Sequence, residues 1–429
     1  MRMTRWIAPL FALAALGSPA LARVAAPVED ARLVRAIRSN DVTTLASWAR
    51  SAATAEQRAL AKGAVLALRR RDTKAIAMLL PVSRASGNLT LRATALLTLA
   101  QVYLRDGRYR DCYDAIRTAA HLSPRSVHRS DAQNMRFAHA LLGVKPMRVV
   151  RNLPGSLPIV RDQAGLMRVA VTLDAHPEQA VLDTGAQFCT VNASTARQIG
   201  LRMVRQTASV SSSTQRSVPT RLGVVRRLQL GPTVLANVVF IVLPDSALRF
   251  EHGAYSINAI VGLPVLLALR RIEFVHPGGA ARLLFGARQR PAPRRAGAPA
   301  PDLLLSSLAP LVLVRLPGVH APLRMLLDTG ANATLFAHNV VQADPQLLRH
   351  AATRRLRLGG AGGAKSDPHA LSLPEVTLLI GTERFVLRHV AVRSGDHKSA
   401  DGTLGEDVLR QGERVILNFR TMQMRILKP

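Results

Sequence analysis

The chain is poor in cysteine and in aromatic residues. Its 429 residues include two cysteines, Cys112 and Cys189, and only 4% of them are aromatic. Two cysteines permit one disulfide but no disulfide framework, and these two fall in segments of different character, so we expect two buried free thiols. No cluster of Cys or His has the spacing of a metal site, and we expect neither a metal nor another cofactor.

Lysine is nearly missing from a strongly basic chain. The formal net charge is +31, and only six of the 58 basic residues are Lys. The arginines are scattered along the chain, and four Tyr and two Trp offer little surface on which bases could stack, so we expect no nucleic-acid partner. If the protein is exported, its charge predicts attraction to the anionic surface of the cell envelope.

No apolar run is long enough to cross a bilayer, but a short one stands near the start. Two arginines precede about a dozen apolar residues, too few to span a membrane, and "ALA" at 20–22 supplies a small-x-small cleavage site. We therefore expect residues 1–22 to be a signal peptide that is cut after Ala22. The mature protein is then expected to be soluble and periplasmic or secreted.

Residues 28–145 have the periodicity of helices. They are rich in Ala, Leu and Arg, and Asp41 stands where a helix N-cap is expected. The clearest stretch is "TALLTLAQVYLRDGRYRDCYDAIRTAAHLSP" at 94–124, in which apolar residues line one face of two successive helices around a turn at Gly107. An all-α N-terminal domain is therefore predicted.

The stretch at 94–124 resembles a tetratricopeptide repeat. Such a repeat ends in a helix-breaking proline, here Pro124, and usually has Ala where Cys112 stands. Only one good copy is legible, although stacked repeats need neighbours to bury their faces. Two interpretations stay open for this domain: a groove that binds a protein partner or peptide, and a helical platform packed against the rest of the chain.

From residue 155 onward the pattern is that of short strands. "MRVAVTL" at 167–173 alternates apolar and polar positions, and further short apolar runs follow between Gly and Pro residues. Residues 288–302, "RQRPAPRRAGAPAPD", have the composition of a linker. We therefore predict one all-β lobe at 155–287 and a second at 303–429.

An internal repeat relates the two lobes. "VLDTGA" at 181–186 returns as "LLDTGA" at 326–331, which places Asp183 and Asp328 145 residues apart. Downstream, "AIVGLPVL" and "GTLGEDVL" each contain an apolar-apolar-Gly element, and their glycines are 143 residues apart. Each element is followed by a pair of strands. Two copies of one β unit explain these spacings.

These motifs together resemble the retropepsin-like aspartic peptidases. The resemblance covers about residues 160–429 and rests on the duplicated Asp-Thr-Gly-Ala in matched context, since one Asp-Thr-Gly alone is a weak motif. It implies two retropepsin-like acid-protease barrels, each supplying one Asp to a site that exists only where the two face each other. The alternative is a duplicated β fold in which both hexapeptides are ordinary strand corners.

The resemblance also assigns roles to the repeated residues. Asp183 and Asp328 would be the catalytic pair, and the hydroxyls of Thr184 and Thr329 would hydrogen-bond to backbone across the interface between the lobes. The loop glycines would let the backbone turn without a Cβ and offer amide N–H groups to the carboxylates. The other implied site residues are small residues of the two loops and two downstream structural glycines: Gly185, Ala186, Gly330, Ala331, Gly262 and Gly405.

The family further implies a β-hairpin flap over the substrate in each lobe. The candidates are residues 209–223 and 358–375, which are small, polar and rich in Gly or Ser, as ordinary exposed loops also are. Neither candidate contains the Tyr found in pepsin-like flaps. The lobes also differ directly after the downstream glycine, where the first has Leu-Pro and the second has Glu406 and Asp407.

Two adjacent carboxyl groups supply what peptide hydrolysis needs. One group must take a proton from water while another donates a proton to the carbonyl oxygen or the leaving nitrogen. Two like charges roughly 3 Å apart repel by about 5 kcal/mol at an effective dielectric near 20, so one carboxyl keeps its proton, as is established for aspartic proteases. The two titrations then belong to the pair and not to either Asp alone.

The sequence thus favours an aspartic endopeptidase that acts on polypeptides. Since the second copy can complete the site within one chain, we expect a monomer with an intramolecular pair of lobes. One alternative is a catalytically weak peptide-binding or scaffolding protein of the cell envelope that uses its helical domain. Another is a polyanion binder in which the β lobes are incidental.

Overall fold

The fold is described from a computed structural model. The predicted signal peptide falls almost entirely outside the described residues, and the predicted linker at 288–302 lies outside them altogether. Among the described helices, none combines the length and the apolar composition needed to cross a membrane. The structure describes residues 19–211, 217–276, 280–286, 303–319, 321–361, 363–395 and 400–428.

The first part of the described chain is helical, as predicted. Each helix packs against the next along the chain, and apolar positions at helical spacing form the contacts. The predicted N-cap is present, since Asp41 Oδ1 accepts a hydrogen bond of 3.0 Å from the backbone N–H of Thr44. The helices are α1 (Pro19–Arg38), α2 (Val42–Ser51), α3 (Ala55–Leu68), α4 (Asp72–Ala85), α5 (Leu89–Arg105), α6 (Tyr109–Leu122) and α7 (Arg129–Ala140).

Helices α5 and α6 form the helical hairpin that the 94–124 stretch predicts. Gly107 lies in the turn with a φ of +71°, a conformation that favours glycine. A Cβ on Gly107 would stand 2.9 Å from Cβ of Pro146, so the turn also packs closely on the chain that leaves the helical region. Cys112 is buried on α6 and is a free thiol, as expected.

The rest of the described chain is rich in β-strands, again as predicted. The strands of the first half are β1 (Arg148–Arg151), β2 (Gly155–Pro158), β3 (Val160–Arg161), β4 (Met167–Leu173), β5 (His176–Leu182), β6 (Cys189–Asn192), β7 (Arg202–Ser211), β8 (Ser217–Leu230), β9 (Thr233–Leu243), β10 (Arg249–Phe250), β11 (Tyr255–Ser256), β12 (Ala259–Val261), β13 (Arg271–Val275) and β14 (Arg282–Phe285). Those of the second half are β15 (Leu303–Ser306), β16 (Ala309–Val314), β17 (Leu323–Leu327), β18 (Leu335–Phe336), β19 (Ala352–Gly360), β20 (Gly363–Ile380), β21 (Glu383–Val392), β22 (Gly402–Leu404), β23 (Arg414–Asn418) and β24 (Gln423–Leu427).

Each half builds a sheet of its own. The order is β1-β9-β6-β12-β5-β4-β8-β7 in the first half, with β3 paired to β4, and β15-β16-β17-β22-β18-β21-β20-β19 in the second. In both sheets a short strand runs parallel to the strand that precedes Asp-Thr-Gly-Ala, since β12 pairs with β5 and β22 pairs with β17. The internal repeat of the sequence is therefore a repeat of strand pairing.

The halves contain short helices that the all-β prediction missed. In each half, one helix follows the strand after the Asp-Thr-Gly-Ala loop and one begins directly after the downstream glycine. The first of them is capped by Asn192, whose side chain accepts a hydrogen bond of 2.7 Å from the N–H of Thr195. The helices are too short to show a helical period. They are α8 (Ala193–Gln198), α9 (Leu263–Ala268), α10 (His338–Ala343) and α11 (Glu406–Leu409).

A third sheet joins the two halves. Its order is β2-β14-β13-β23-β24, so the terminal strand pairs of the halves meet where β13 pairs antiparallel with β23. The carboxylate of Glu273, 1% exposed on β13, forms ion pairs with Arg271 at 2.9 Å and with Arg414 of the second half at 3.6 Å. The two halves therefore share backbone hydrogen bonds and a buried charge cluster.

The helical region packs against both halves. Arg70 donates a hydrogen bond of 3.1 Å to the carbonyl of Phe419, and Phe137 of α7 stacks on Phe188 of the first half. Arg105 reaches the carbonyl of Leu305 at 3.5 Å. The helices are thus arranged as the platform interpretation predicts.

Candidate active site

The two Asp-Thr-Gly-Ala loops begin at equivalent corners of the two sheets. The N–H of Asp183 donates to the carbonyl of Val261 at 3.1 Å, and the N–H of Asp328 donates to the carbonyl of Leu404 at 3.1 Å. Both bonds continue the parallel pairing of the short strands β12 and β22. Each Asp therefore stands at the point where the chain leaves its sheet.

The two threonines connect the loops by reciprocal hydrogen bonds. The N–H of Thr184 donates to Oγ1 of Thr329 at 3.0 Å, and the N–H of Thr329 donates to Oγ1 of Thr184 at 3.1 Å. Each hydroxyl then donates across the interface, Thr184 to the carbonyl of Leu327 at 2.7 Å and Thr329 to that of Leu182 at 2.9 Å. Both threonines are 0% exposed. The N–H and the hydroxyl of each threonine therefore have a partner from the other half.

The loop glycines are in contact with the opposite carboxyl groups. A Cβ on Gly185 would stand 2.6 Å from Cγ of Asp328, and a Cβ on Gly330 would stand 2.7 Å from Cγ of Asp183. Neither glycine has the positive φ that would require glycine for its backbone conformation. The physical reason for glycine here is thus close approach, whereas the sequence suggested freedom to turn.

Backbone N–H groups donate to both carboxylates. The N–H of Ala186 donates to Oδ1 of Asp183 at 2.9 Å, and the N–H of Gly330 donates to Oδ1 of Asp328 at 2.9 Å. The two carboxyl groups also share a hydrogen bond with each other. They are partly accessible to solvent and are otherwise enclosed by the two loops.

The proximity of the carboxyl groups changes their titration. Burial, and then the negative charge of Asp183, raise the pKa of Asp328 well above its ordinary value. Burial also raises the pKa of Asp183, while the hydrogen bond from Asp328 opposes that rise. The pair therefore holds one proton at a pH at which two separate aspartates would both be ionised.

The downstream glycines lie behind the loops and not at the carboxylates. A Cβ on Gly262 would stand 2.5 Å from the carbonyl oxygen of Phe188, and a Cβ on Gly405 would stand 2.5 Å from the carbonyl carbon of Ala333. The residues after these glycines close each loop by donating to the carbonyls of its alanine: Leu263 to Ala186 at 2.8 Å and Glu406 to Ala331 at 2.9 Å.

The two halves differ behind the loops. Thr334 donates through its N–H and its hydroxyl to the carboxylate of Asp407, at 2.9 and 2.7 Å, and its hydroxyl accepts from Gly405 at 3.1 Å. In the first half, Cys189 stands where Thr334 does and accepts from Gly262 at 3.4 Å. Burial raises the pKa of Cys189 to about 12, so this free thiol is unreactive at neutral pH.

An ion-pair cluster beside the second loop was missed from the sequence. Glu406 is 1% exposed, and its Oε2 pairs with Arg161 of the first half at 2.8 Å and with Arg410 at 3.3 Å. Both arginines also donate to the carbonyl of Gly165 at 3.0 Å. The acidic pair after Gly405 was visible in the sequence, but one partner of Glu406, Arg161, comes from 245 residues away.

The two flap candidates lie on β-hairpins. The described parts of 209–223 fall on β7 and β8, and those of 358–375 on β19, β20 and the turn between them, while 212–216 and 362 lie outside the described residues. Strand β20 packs against the 3₁₀ turn Asp245–Leu248 of the first half. A cavity of about 710 Å³ lies at this crossing, with Arg249 and Arg357 in its lining.

Comparison with known proteins gives a match within the first half. A family model described as aspartyl protease matches residues 169–265, which contain the first Asp-Thr-Gly-Ala loop and Gly262. No curated protein matches the chain. Within the described residues, no group of His, Cys, Asp and Glu side chains is arranged to hold a metal ion. The match supports a peptidase of the aspartyl type, and the second loop is placed beside the first by the geometry.

Proposed function

We propose that the protein is an aspartic endopeptidase whose catalytic pair is Asp183 and Asp328. One observation carries the proposal: two Asp-Thr-Gly-Ala loops from opposite halves lie face to face, with each glycine against the carboxyl group of the other loop. Two ordinary strand corners would have no reason to place two acidic groups in contact, because the repulsion between them destabilises the fold.

The shared proton defines the chemistry of the pair. The ionised carboxylate takes a proton from a water molecule held between the two groups, and the oxygen of that water attacks the carbonyl carbon of the substrate. The protonated carboxyl donates its proton to the carbonyl oxygen. Collapse of the tetrahedral intermediate then breaks the C–N bond. The departing nitrogen takes the proton that the first carboxylate received from the water, and a hydroxyl of the intermediate returns a proton to the second carboxylate. The backbone N–H groups of Ala186 and Gly330 keep the two carboxylates in position throughout.

Several wider features belong to the same proposal. Each half is a retropepsin-like barrel, and one chain forms the complete site as a monomer, which the reciprocal bonds of Thr184 and Thr329 support. The α5–α6 hairpin is a tetratricopeptide-like unit that offers a surface to a protein partner. The protein is exported, and its net charge of +31 draws it to anionic envelope lipids. Retention on anionic vesicles that is unchanged by high salt would contradict the electrostatic attraction to these lipids.

Amide substitutions in the pair test the proposal. The mature protein is assayed on an unfolded polypeptide at acidic pH together with Asp183→Asn and Asp328→Asn. Each variant is expected to lose at least about 100-fold in rate, the lower range of what acid–base catalysis supplies. The matched control is Asp41→Asn, which keeps an N-cap on α2 and is expected to cleave as the wild type does.

Three outcomes would contradict parts of the proposal. Cleavage that persists in both variants of the pair would mean that the activity resides elsewhere. Saturable peptide binding without any turnover by the wild type would favour the peptide-binding or scaffolding alternative. Recovery of activity on mixing the two single variants would show that sites are shared between chains, against a catalytic monomer.

A further inference from the structure

Helix α7 of the helical region contacts the first half beside the candidate active site. The ring of Phe137 on α7 stacks on that of Phe188, with the ring centroids 5.1 Å apart and the planes inclined by 6°. The two residues are 3% and 8% exposed, so the stack is buried. It joins an element of the helical region to a residue that lies five positions after Asp183.

The backbone of Phe188 is held against the loop that carries Asp183. Its carbonyl oxygen would lie 2.5 Å from a Cβ on Gly262, and the carbonyl of Ala186 accepts a hydrogen bond of 2.8 Å from Leu263. The segment from Ala186 to Phe188 is thereby held against the chain at Gly262 and Leu263. A displacement of the Phe188 ring toward Gly262 is therefore opposed, because the backbone of Phe188 has no free space on that side.

The same helix packs against the hairpin over the first half. Helix α7 contacts β7, the first strand of the β7–β8 hairpin, on which Met203 and Val204 are partly buried. One rigid helix therefore touches both the segment after Asp183 and the base of the hairpin. Its own position is set by packing on α6 and by the buried side chains of Ala138 and Ala140.

Among the residues of the second half that the structure describes, none makes an equivalent aromatic contact. The offset of 145 residues that relates Asp183 to Asp328 also relates Phe188 to Ala333, which is exposed and has no ring to stack. The asymmetry is therefore present in the sequence of the two copies as well as in the contacts.

We propose that Phe137 is a positioning residue for the first half of the active site, so that the helical region is part of the catalytic unit. Through Phe188 it holds the segment after Asp183, and through α7 it holds the base of the β7–β8 hairpin against which a substrate would bind. The statement about substrate rests on the proposed peptidase function. Stacking of two aromatic rings raises the equilibrium constant for forming their contact about two- to tenfold, in addition to the stabilisation from the apolar area that they bury.

The test uses the full chain with Phe137→Leu, which keeps a buried apolar side chain and removes the ring. Amide hydrogen exchange in β7 is expected to rise about two- to tenfold, while exchange in β19 stays unchanged. KM for a peptide substrate is expected to rise by a similar factor, with kcat and its pH profile unchanged, since neither carboxyl group is touched. Phe188→Leu is expected to have the same effects, and the double variant no more than either single one.

The matched control is Leu79→Val, which removes a buried methylene from α4, a helix that packs between α3 and α5. It is expected to lower the melting temperature without changing β7 exchange or KM. If Phe137→Leu behaves like this control, or if the two phenylalanine variants are additive, the coupling does not exist. Absence of cleavage by the wild type would refute the peptidase instead, and the exchange measurement would still decide whether α7 restrains the hairpin.

Discussion

Replacement of Thr184 by Val measures what the hydrogen bonds that join the two halves contribute to stability, apart from the packing of the core. Valine has nearly the shape of threonine, so the substitution removes a hydroxyl and creates little cavity. In the structure that hydroxyl accepts from the N–H of Thr329 and donates to the carbonyl of Leu327, and the site is 0% exposed. Thr184→Val therefore leaves a donor and an acceptor buried without partners.

The magnitude follows from these two orphaned groups. Each buried polar group without a partner costs about 1–3 kcal/mol, so the free energy of unfolding should fall by about 2–6 kcal/mol. For a β-rich unit of this size each kcal/mol corresponds to about 2–4 °C, which predicts a loss of at least about 4 °C in the melting temperature. Calorimetry measures the shift, and Thr184→Ser, which keeps the hydroxyl, should recover most of it.

Thr98→Val is a control that makes the same chemical change where the hydroxyl has different hydrogen-bond partners. Thr98 on α5 is 6% exposed, and its hydroxyl donates to the carbonyl of Thr94 at 2.8 Å, a group that the helix already supplies with a donor. Thr98→Val should therefore change the melting temperature by less than about 1 °C, since no group is orphaned. If Thr184→Val lost no more stability than Thr98→Val, the reciprocal bonds would not hold the halves together and the reasoning would be wrong.

Two further predictions concern the carboxyl pair. Gly185→Ala should reduce the rate of cleavage by about 100-fold, because its Cβ would lie 2.6 Å from Cγ of Asp328 and must displace that carboxyl by about 1 Å. Gly143→Ala is the control and should leave the rate unchanged, because a Cβ there meets nothing within 4 Å. Equal rates for the two variants would contradict the geometry. Asp328→Asn should melt at a higher temperature than the wild type at pH 7. A carboxyl whose pKa is raised in the folded state binds its proton more tightly there than in the unfolded chain. Its contribution to stability is therefore lost as the pH rises above 3.8, the ordinary pKa of Asp. The amide of Asn is neutral at every pH and has no such loss. Thermal melts at several pH values check this, and the difference between the two proteins should vanish below about pH 4; a difference that is independent of pH would show that the pair does not share a proton.

Local patterns were sufficient to predict much of the helical region and the corners of the sheets. Asp41 was identified as a cap from its position before an apolar period, because an N-cap depends only on the next three residues. The Gly107 turn was placed between two helical faces for a similar reason. Helices α8 to α11 were missed, since four to six residues do not complete two turns and cannot show a period.

Contacts between distant segments were not predictable in the same way. The pairing of β13 with β23 joins the terminal strands of both halves, and no local pattern in either strand points to the other. Glu406 was noticed as a difference between the copies, but its partner Arg161 was not, because no local pattern links residues 245 positions apart. The stack of Phe137 on Phe188 is of the same kind.

Sequence patterns alone were enough to establish a helical part, a β-rich part and two copies of one Asp-Thr-Gly-Ala unit. These conclusions rest on periodicity, capping and repetition, which act over a few residues or compare one stretch with another. The tertiary structure was needed to explain why Gly185 and Gly330 are glycines, since the atoms that exclude a side chain at each belong to the opposite loop. It also decided that the two carboxyl groups share a hydrogen bond and a raised pKa, because desolvation and charge proximity arise only once two corners 145 residues apart are brought together.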